Sequence, residues 1–306
     1  MKLFTVLCAV ALIPSVCLCQ YSISLKLQPG KTYFHTTTAV STMHQEIGEG
    51  MDLTTSITGK NSYRVLGHTD SIYHIQASYD DLSLKMKAAA MEMDFSSTAG
   101  KQDIVSQIMS SLINHPFGMD MTTHGKVIAV RGLDSLLSNM AGQVPGIGDE
   151  QRTTLGKQIS ESYGPETFKS SFNSITAIYP PSGMARKGDK WTSSVEMPGV
   201  IKMTIVMEYQ LMDEGADYYL IHGEGLMNTS DTSGYSNMNG IELKYILTGK
   251  MTSDIKIDKL SGWIKEVKGV QKAEGHMRIK ESAMMPDGAE IPISLNSTTE
   301  VTGGSF

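Results

Sequence analysis

Ile241-Glu242-Leu243-Lys244-Tyr245-Ile246-Leu247-Thr248-Gly249-Lys250-Met251-Thr252-Ser253-Asp254-Ile255-Lys256-Ile257-Asp258 alternates apolar and polar side chains over its whole length. Ile241, Leu243, Tyr245, Leu247, Met251, Ile255 and Ile257 make one side; Glu242, Lys244, Thr248, Lys250, Thr252, Asp254, Lys256 and Asp258 make the other. A period of two held this far marks a β-strand with one dry and one wet face. Asp258-Lys259-Leu260-Ser261-Gly262 reads as a turn, and a second alternating run continues from Trp263 through Val267, Ala273, Met277 and Ile279. At ~3.3 Å per residue, strands of about seventeen residues reach ~55 Å, far past the usual ~17–20 Å. Flat strands of that length need a very large partner sheet. Bent ones do not, and Gly249, Gly269 and Gly275 stand where a kink is easiest. The expected fold class is α+β, mainly β: a strongly curved, half-barrel-like antiparallel sheet whose concave side must be filled.

Working outward, the N-terminus sets the compartment. Met1-Lys2, the apolar run Leu3 to Val16 and the short residues of Cys17-Leu18-Cys19 read as a secretory signal over 1–19, cleaved before Gln20. The run is too short for a membrane span. Lipid attachment at Cys17 or Cys19 is the second reading, disfavoured because Val16 and Leu18 stand where such signals carry small side chains. All three cysteines belong to this segment, so the mature chain has no disulfide, which fits the periplasm or cell envelope of a bacterium better than an animal extracellular space. Losing Lys2 moves the net charge from −6 to −7. A mildly acidic chain of mixed-sign strands offers nothing to nucleic acid.

The remainder, 20–306, reads as one β-rich domain of two similar halves, 20–179 and 184–306, joined at Tyr179-Pro180-Pro181-Ser182-Gly183. Between about 102 and 163 the period changes. Ile104, Ile108 and Leu112 recur at helical spacing; Leu133, Leu136, Leu137 and Met140 follow; then Leu155, Ile159 and Tyr163, with Asp149 as a cap. About three helices with narrow apolar stripes are expected, laid on the concave side of the sheet. Two landmarks recur in order. Gly30-Lys31-Thr32-Tyr33 echoes Gly188-Asp189-Lys190-Trp191, and Gly125-Lys126-Val127-Ile128-Ala129-Val130-Arg131-Gly132 echoes Gly262-Trp263-Ile264-Lys265-Glu266-Val267-Lys268-Gly269.

With Gly188-Asp189-Lys190-Trp191, Leu247 to Asp258 and Gly262-Trp263-Ile264 in view, and Pro116-Phe117 and Asp134-Ser135-Leu136 in the centre, the chain resembles a family of exported Bacteroidetes proteins known only as a domain of unknown function. The resemblance implies an envelope location and brings no catalytic residues. The inferred architecture is also similar to the half-barrels of lipoprotein carriers, an analogy of fold alone.

No signature of an activated nucleophile, zinc site or phosphate loop stands in the mature chain, and its eight histidines are scattered over strands and turns. The expectation is a non-catalytic protein without a cofactor. Methionine is the oddity, with twenty left once Met1 is removed. It stands for Leu and Ile in an ordinary core, lines a cavity for an apolar ligand of variable shape, or supplies thioethers for Cu(I) at Met91/Met93 and Met119/Met121. The leading functional expectation is an envelope protein that binds a hydrophobic or lipid-like ligand between sheet and helices, with Ile104, Ile108, Leu112, Met203, Met207, Leu243, Tyr245 and Leu247 as lining. The alternative is a periplasmic interaction or assembly scaffold for an envelope protein partner, using the Thr-rich strands and the Asn228–Asn239 loop. An enzyme ranks third.

Overall fold

The computed structural model describes residues 20–46, 50–89, 91–98, 103–143, 148–197, 201–230, 232–238, 241–281 and 286–306. The signal segment and the possibility of lipidation at Cys17 or Cys19 lie outside the described residues, as do the side chains of Met140 and Leu155. In chain order the elements are β1 (Tyr21–Ser22), β2 (Thr32–Gln45), β3 (Met51–Thr69), β4 (Ile72–Ala88), β5 (Met91–Ser96), α1 (Ile104–Leu112), β6 (Phe117–Thr122) and β7 (Val127–Arg131). Helices α2 (Leu133–Gln143), α3 (Asp149–Tyr163) and α4 (Pro165–Thr176) come next. The second half is β8 (Met184–Ala185), β9 (Lys190–Met197), β10 (Met203–Glu214), β11 (Tyr218–Thr229), β12 (Ser236–Met238), β13 (Ile241–Asp258), β14 (Ile264–Ile279) and β15 (Ala289–Ser305).

The long hairpin forms as its alternation requires: β13 has 18 residues and β14 has 16, in antiparallel register from Leu243–Ile279 to Ile257–Ile264. They sit in one antiparallel sheet of order β7-β6-β4-β3-β2-β15-β14-β13-β11-β10-β9, with β5 and β12 attached to β4 and β13. The meander β2-β3-β4-β6-β7 is repeated by β9-β10-β11-β13-β14, and β15 bridges the two between β2 and β14. The two glycine-framed stretches therefore occupy the last strand of each meander, β7 and β14.

Cross-strand register explains the two faces. One row runs Leu82–Gly59–Thr37–Val301–Val267–Ile255–Ile221–Leu211. The next row runs Ser83–Thr58–Thr38–Glu300–Lys268–Asp254–His222–Gln210, polar throughout. The first face turns inward, because the aromatic side chains of α4 pack on it: Phe172 meets Tyr63 edge-on at 5.4 Å and Phe168 meets Phe117 at 5.0 Å.

Curvature follows from what α4 touches. Asn173 of α4 accepts from the Val127 N–H (2.7 Å) and donates to the Val127 carbonyl (3.3 Å) at the β7 edge. Ser170, on the same helix, donates to the Glu196 carbonyl (2.6 Å) at the β9 edge. One helix reaches both free edges, so the sheet has rolled nearly into a barrel and α4 occupies the remaining gap. Among the described residues, five register shifts provide the bending, at Lys60/Asn61, Val65/Gly67, Asp120/Met121, Leu211/Asp213 and Lys256/Ile257. Gly275 adds to it: a Cβ there would stand 1.9 Å from the Ile246 carbonyl oxygen of the facing strand. In a flat pleat that vector points away from the neighbour, so the backbone is rotated locally. Gly269, the third glycine of the hairpin, has only ordinary contacts at 3.8 Å and marks no such approach.

One end of the roll is plugged. The segment after β1 threads Ile23, Leu25 and Leu27, all nearly inaccessible, across the turns, with the Ile23 N–H donating to Gly183, Leu25 to Thr123 and Lys26 to Ser261. Above it lies an aromatic cluster: Trp263 stacks on His35 at 4.3 Å, touches Tyr33 and Tyr63, and donates its indole N–H to the Phe34 carbonyl.

The structure refines several expectations. Beyond Ser22 the chain leaves β1 and forms the extended plug just described. Leu82 to Ala88 is the end of the 17-residue β4, and the short β5 pairs with it. The final strand runs from Ala289 to Ser305, and Gly148, not Asp149, caps α3. The three helices expected between about 102 and 163 form as α1, α2 and α3, and a fourth among the described residues, α4, follows them before the joint.

Candidate functional site

Helices α1 to α3 do not fill the space they cover. Between them and the inner face of β3 and β4 lies a cavity of about 150 Å³. The sheet contributes Ile57, Tyr79, Leu82, Ser83 and Leu84; α1 contributes Val105, Ile108, Met109 and Leu112; α2 contributes Leu133 and Leu137; α3 contributes Ile159 and Tyr163. The narrow stripes explain the space: each helix offers one or two apolar residues per turn, too few to pack a wall as wide as β3 and β4 together.

Local bonds fix α1 over this wall. Asp103 caps it by accepting from the Ser106 N–H (2.8 Å), and the buried Ser106 hydroxyl accepts from the Ser96 N–H of β5 (3.0 Å). Ser110 donates to the Ser97 carbonyl (2.9 Å), while the Ser97 hydroxyl accepts from the Leu82 N–H and donates to Asp81. These serines anchor the helix through its polar side and leave Ile108 and Leu112 facing the cavity.

A second chamber of about 290 Å³ adjoins the first, sharing Tyr79 and Tyr163 with it. Its other walls are Asn61 and Tyr63 from β3 and Thr167, Phe168, Ser171, Phe172 and Ile175 from α4. Burial pushes the Tyr63 and Tyr79 phenols well above their ordinary range, and the negative charge of Asp80 pushes Tyr63 in the same direction. The Asn61 side chain lies against the Tyr63 hydroxyl, and its buried amide oxygen has no hydrogen-bond partner among the described residues. Tyr163, more than half exposed, lines both chambers.

The expected lining residues divide. Ile108 and Leu112 line the first chamber, but Ile104 points outward and is 44% exposed. Met203, Met207, Leu243 and Leu247 lie on the inner face of the opposite wall and are packed into the core. Tyr245 borders a separate recess of about 170 Å³ beside Ile201, Thr229 and Tyr235. Of the paired methionines, Met119 and Met121 are wholly buried, while Met91 and Met93 lie exposed on β5. The residues not foreseen are Tyr79, Leu82 and Leu84 at the end of β4 and the whole α4 face. Gly164-Pro165-Glu166, a helix-start signal with Pro at the first turn, was the available clue to the latter.

Titratable groups gather on the outer face instead. His74 bonds Asp120 (2.9 Å), which also holds Arg131; the two lower the Asp120 carboxyl below the usual range, Arg131 first. His222 lies between Asp254 (2.7 Å) and Glu224 (3.3 Å), and the Asp254 hydrogen bond raises its pKa. Among the described residues no three His, Cys, Asp or Glu side chains converge as a metal would need. No described helix is long and apolar enough to cross a membrane.

No curated protein matches the chain. Among solved structures it is similar to lipovitellin, in a structure of lipid–protein interactions, at 14% identity and a TM-score of 0.43, covering 91% of this chain and 26% of that one. It spans about a quarter of the lipovitellin chain. An outer membrane channel from Pseudomonas putida F1 matches at 8% identity and TM-score 0.24, over 92% and 97% of the two chains. The translocator domain of the autotransporter NalP from Neisseria meningitidis matches at 6% identity and TM-score 0.21, over 91% and 90%. At those scores these likenesses carry no argument. The model of DUF6263, a family of unknown function, matches residues 70–264, well over half of the sequence and including β4, all four helices and most of the second meander, and the chain belongs to that family.

Proposed function

We propose that this protein is a non-catalytic binder of a hydrophobic or lipid-like ligand, exported to the bacterial envelope, with the ligand held between α1–α4 and the inner face of β3 and β4. The supporting observation is the pair of adjoining chambers. The first is walled almost entirely by carbon, with Ile57, Val105 and Tyr163 on its exposed side, and apolar space of about that size accepts a benzene-sized group. The second, at about 290 Å³, falls near the lower end of the range for small-molecule pockets and opens beside an exposed tyrosine. Each methylene transferred from water contributes about 0.8 kcal/mol, so the roughly six carbons that a benzene-sized chamber accepts supply about 5 kcal/mol, which is sub-millimolar affinity before the cost of association.

The test is calorimetric titration of the mature protein with octanol. Wild type binds saturably at one site. Ile108→Trp and Leu84→Trp, which fill the first chamber, weaken binding at least tenfold while the melting curve stays cooperative. Val270→Trp, on the outer face, leaves it unchanged. Absence of saturable binding in wild type, or equal affinity in all four proteins, contradicts the proposal. Export is tested by fractionating the native host, where the mature chain should start at Gln20 and leave with the periplasmic or envelope fraction.

A further inference from the structure

We propose that Met86, Met91 and Met93 form a Cu(I) site of three thioethers on the inner face of the β4–β5 hairpin. It lies beyond the chambers, and it stands whether or not they hold a ligand.

Strand register brings the three side chains together. Met93 of β5 stands directly opposite Met86 of β4, and Met91 stands opposite Ala88. Leu84, Met86 and Ala88 follow Leu82 along β4 at every second residue, so all three methionines share the inner face. Directly opposed residues have Cβ atoms ~4.5–5.5 Å apart, and diagonal or next-but-one neighbours stand ~7 Å apart. The centre of such a triangle is about 4 Å from each Cβ, and a methionine sulfur lies two freely rotating bonds beyond its own Cβ. An ion above that centre is within reach of all three sulfurs.

Burial separates these residues from the core methionines. Met119 and Met121 are inaccessible and Met207 and Met227 nearly so, whereas Met91 is 62% exposed, Met93 is 37% exposed and Met86 is half-buried. The cross-sheet row that starts at Met91 runs Ala88–Leu53–Met43–Leu295–Ala273–Gly249–Met227–Ile205, and its far members Ala273, Met227 and Ile205 are buried. Replacement of Leu in a packed core accounts for those methionines and not for the hairpin trio. Donor chemistry then selects the ion. Past residue 19 the chain has no cysteine, so thioether is the softest donor it carries, and thioethers suit Cu(I) rather than Zn, Ca or Mg. On the outer face of the same hairpin Lys85 stands opposite Asp94 and Lys87 opposite Glu92, which keeps both carboxylates on the far side of the sheet from the sulfurs.

The experiment titrates the mature protein with Ag(I), an air-stable soft surrogate, and with Cu(I) under nitrogen in competition with a chromogenic Cu(I) chelator. One ion should bind per chain, with an X-ray absorption spectrum dominated by sulfur neighbours. Met86→Leu, Met91→Leu and Met93→Leu should each weaken binding at least tenfold. Met51→Leu, an exposed methionine on the neighbouring β3, should leave it unchanged. Octanol binding and the melting curve should be the same in all five proteins, which keeps the ion site distinct from the chambers and from the fold. Absence of one-to-one binding in wild type overturns the proposal. So does a spectrum dominated by nitrogen or oxygen, or an affinity that survives all three substitutions, either of which marks adventitious binding at histidines.

Discussion

His35 makes the fold sensitive to acid in a calculable way. Its imidazole is 2% exposed, stacked on Trp263 at 4.3 Å and set edge-on to Tyr63 at 5.7 Å. It is held by a hydrogen bond to the Ile264 backbone, while Nε2 has no partner among the described residues. Desolvation lowers its pKa from 6.5 to about 3, against a smaller opposing effect of the Ile264 bond. The native state therefore keeps His35 neutral while the unfolded chain accepts a proton below pH 6.5. With a depressed folded pKa, the associated stability is complete above pH 6.5 and is lost as pH falls toward 3. Each unit of that interval is worth about 1.36 kcal/mol, so two units of acidification to pH 4.5 remove about 2.7 kcal/mol through this one side chain. His35→Phe retains an aromatic ring against Trp263 and cannot titrate. The assay is urea unfolding of both proteins at pH 7.5 and pH 4.5. Carboxylates contribute equally to both, so wild type should lose about 2.7 kcal/mol more than the variant. Equal losses in the two proteins would show that His35 is solvated or carries its proton in the native state.

Three further consequences follow from particular contacts. Gly275→Ala puts a methyl group against the Ile246 carbonyl and should destabilise by about 3 kcal/mol or more, whereas Gly269→Ala, with room around it, should cost about 1 kcal/mol or less; thermal melting of the two variants ranks them, and the reverse order contradicts the kink at Gly275. Asn173→Ala leaves both Val127 backbone groups unpaired at the sheet edge, costs about 1–3 kcal/mol and speeds hydrogen exchange of the Val127 amide; unchanged exchange would mean α4 does not seal that edge. On the outer face, Asp254→Asn should lower the His222 pKa measured by NMR, because the Asp254 hydrogen bond is the largest cause of its elevation.

The strands were legible because one face of the sheet is wet almost everywhere: the row from Ser83 to Gln210 contains no apolar residue, so the two-residue period survives in the sequence. The long reach of β13 and β14, and the need for curvature, followed from that period and from Gly249, Gly269 and Gly275, of which Gly269 marks no close approach. The site was less legible. Alternation says which face a residue occupies, not how far around the roll it lies. Met203 and Met207 were therefore assigned to the chamber, although they sit on the inner face of the opposite wall. Ile104 shares a stripe with Ile108 and Leu112, yet it stands at the first turn of α1, beyond the sheet's cover. Helix α4 was passed over because Phe168, Phe172 and Ile175 are set among Ser, Thr, Asn and Lys, and those polar residues have a use that sequence does not display: Ser170 and Asn173 bond the two sheet edges. The Ser22–Leu27 segment alternates like a strand for a different reason, since it crosses the end of the roll and buries every second residue there.

The most direct test of a ligand chamber between sheet and helices is a crystal of the mature protein soaked with octanol brominated at its terminal carbon and examined at the bromine absorption edge. The structure predicts one anomalous peak among Leu84, Ile108 and Leu112. Bromine found only on the outer face, or a fully occupied crystal environment with no peak inside the helices' cover, would contradict it.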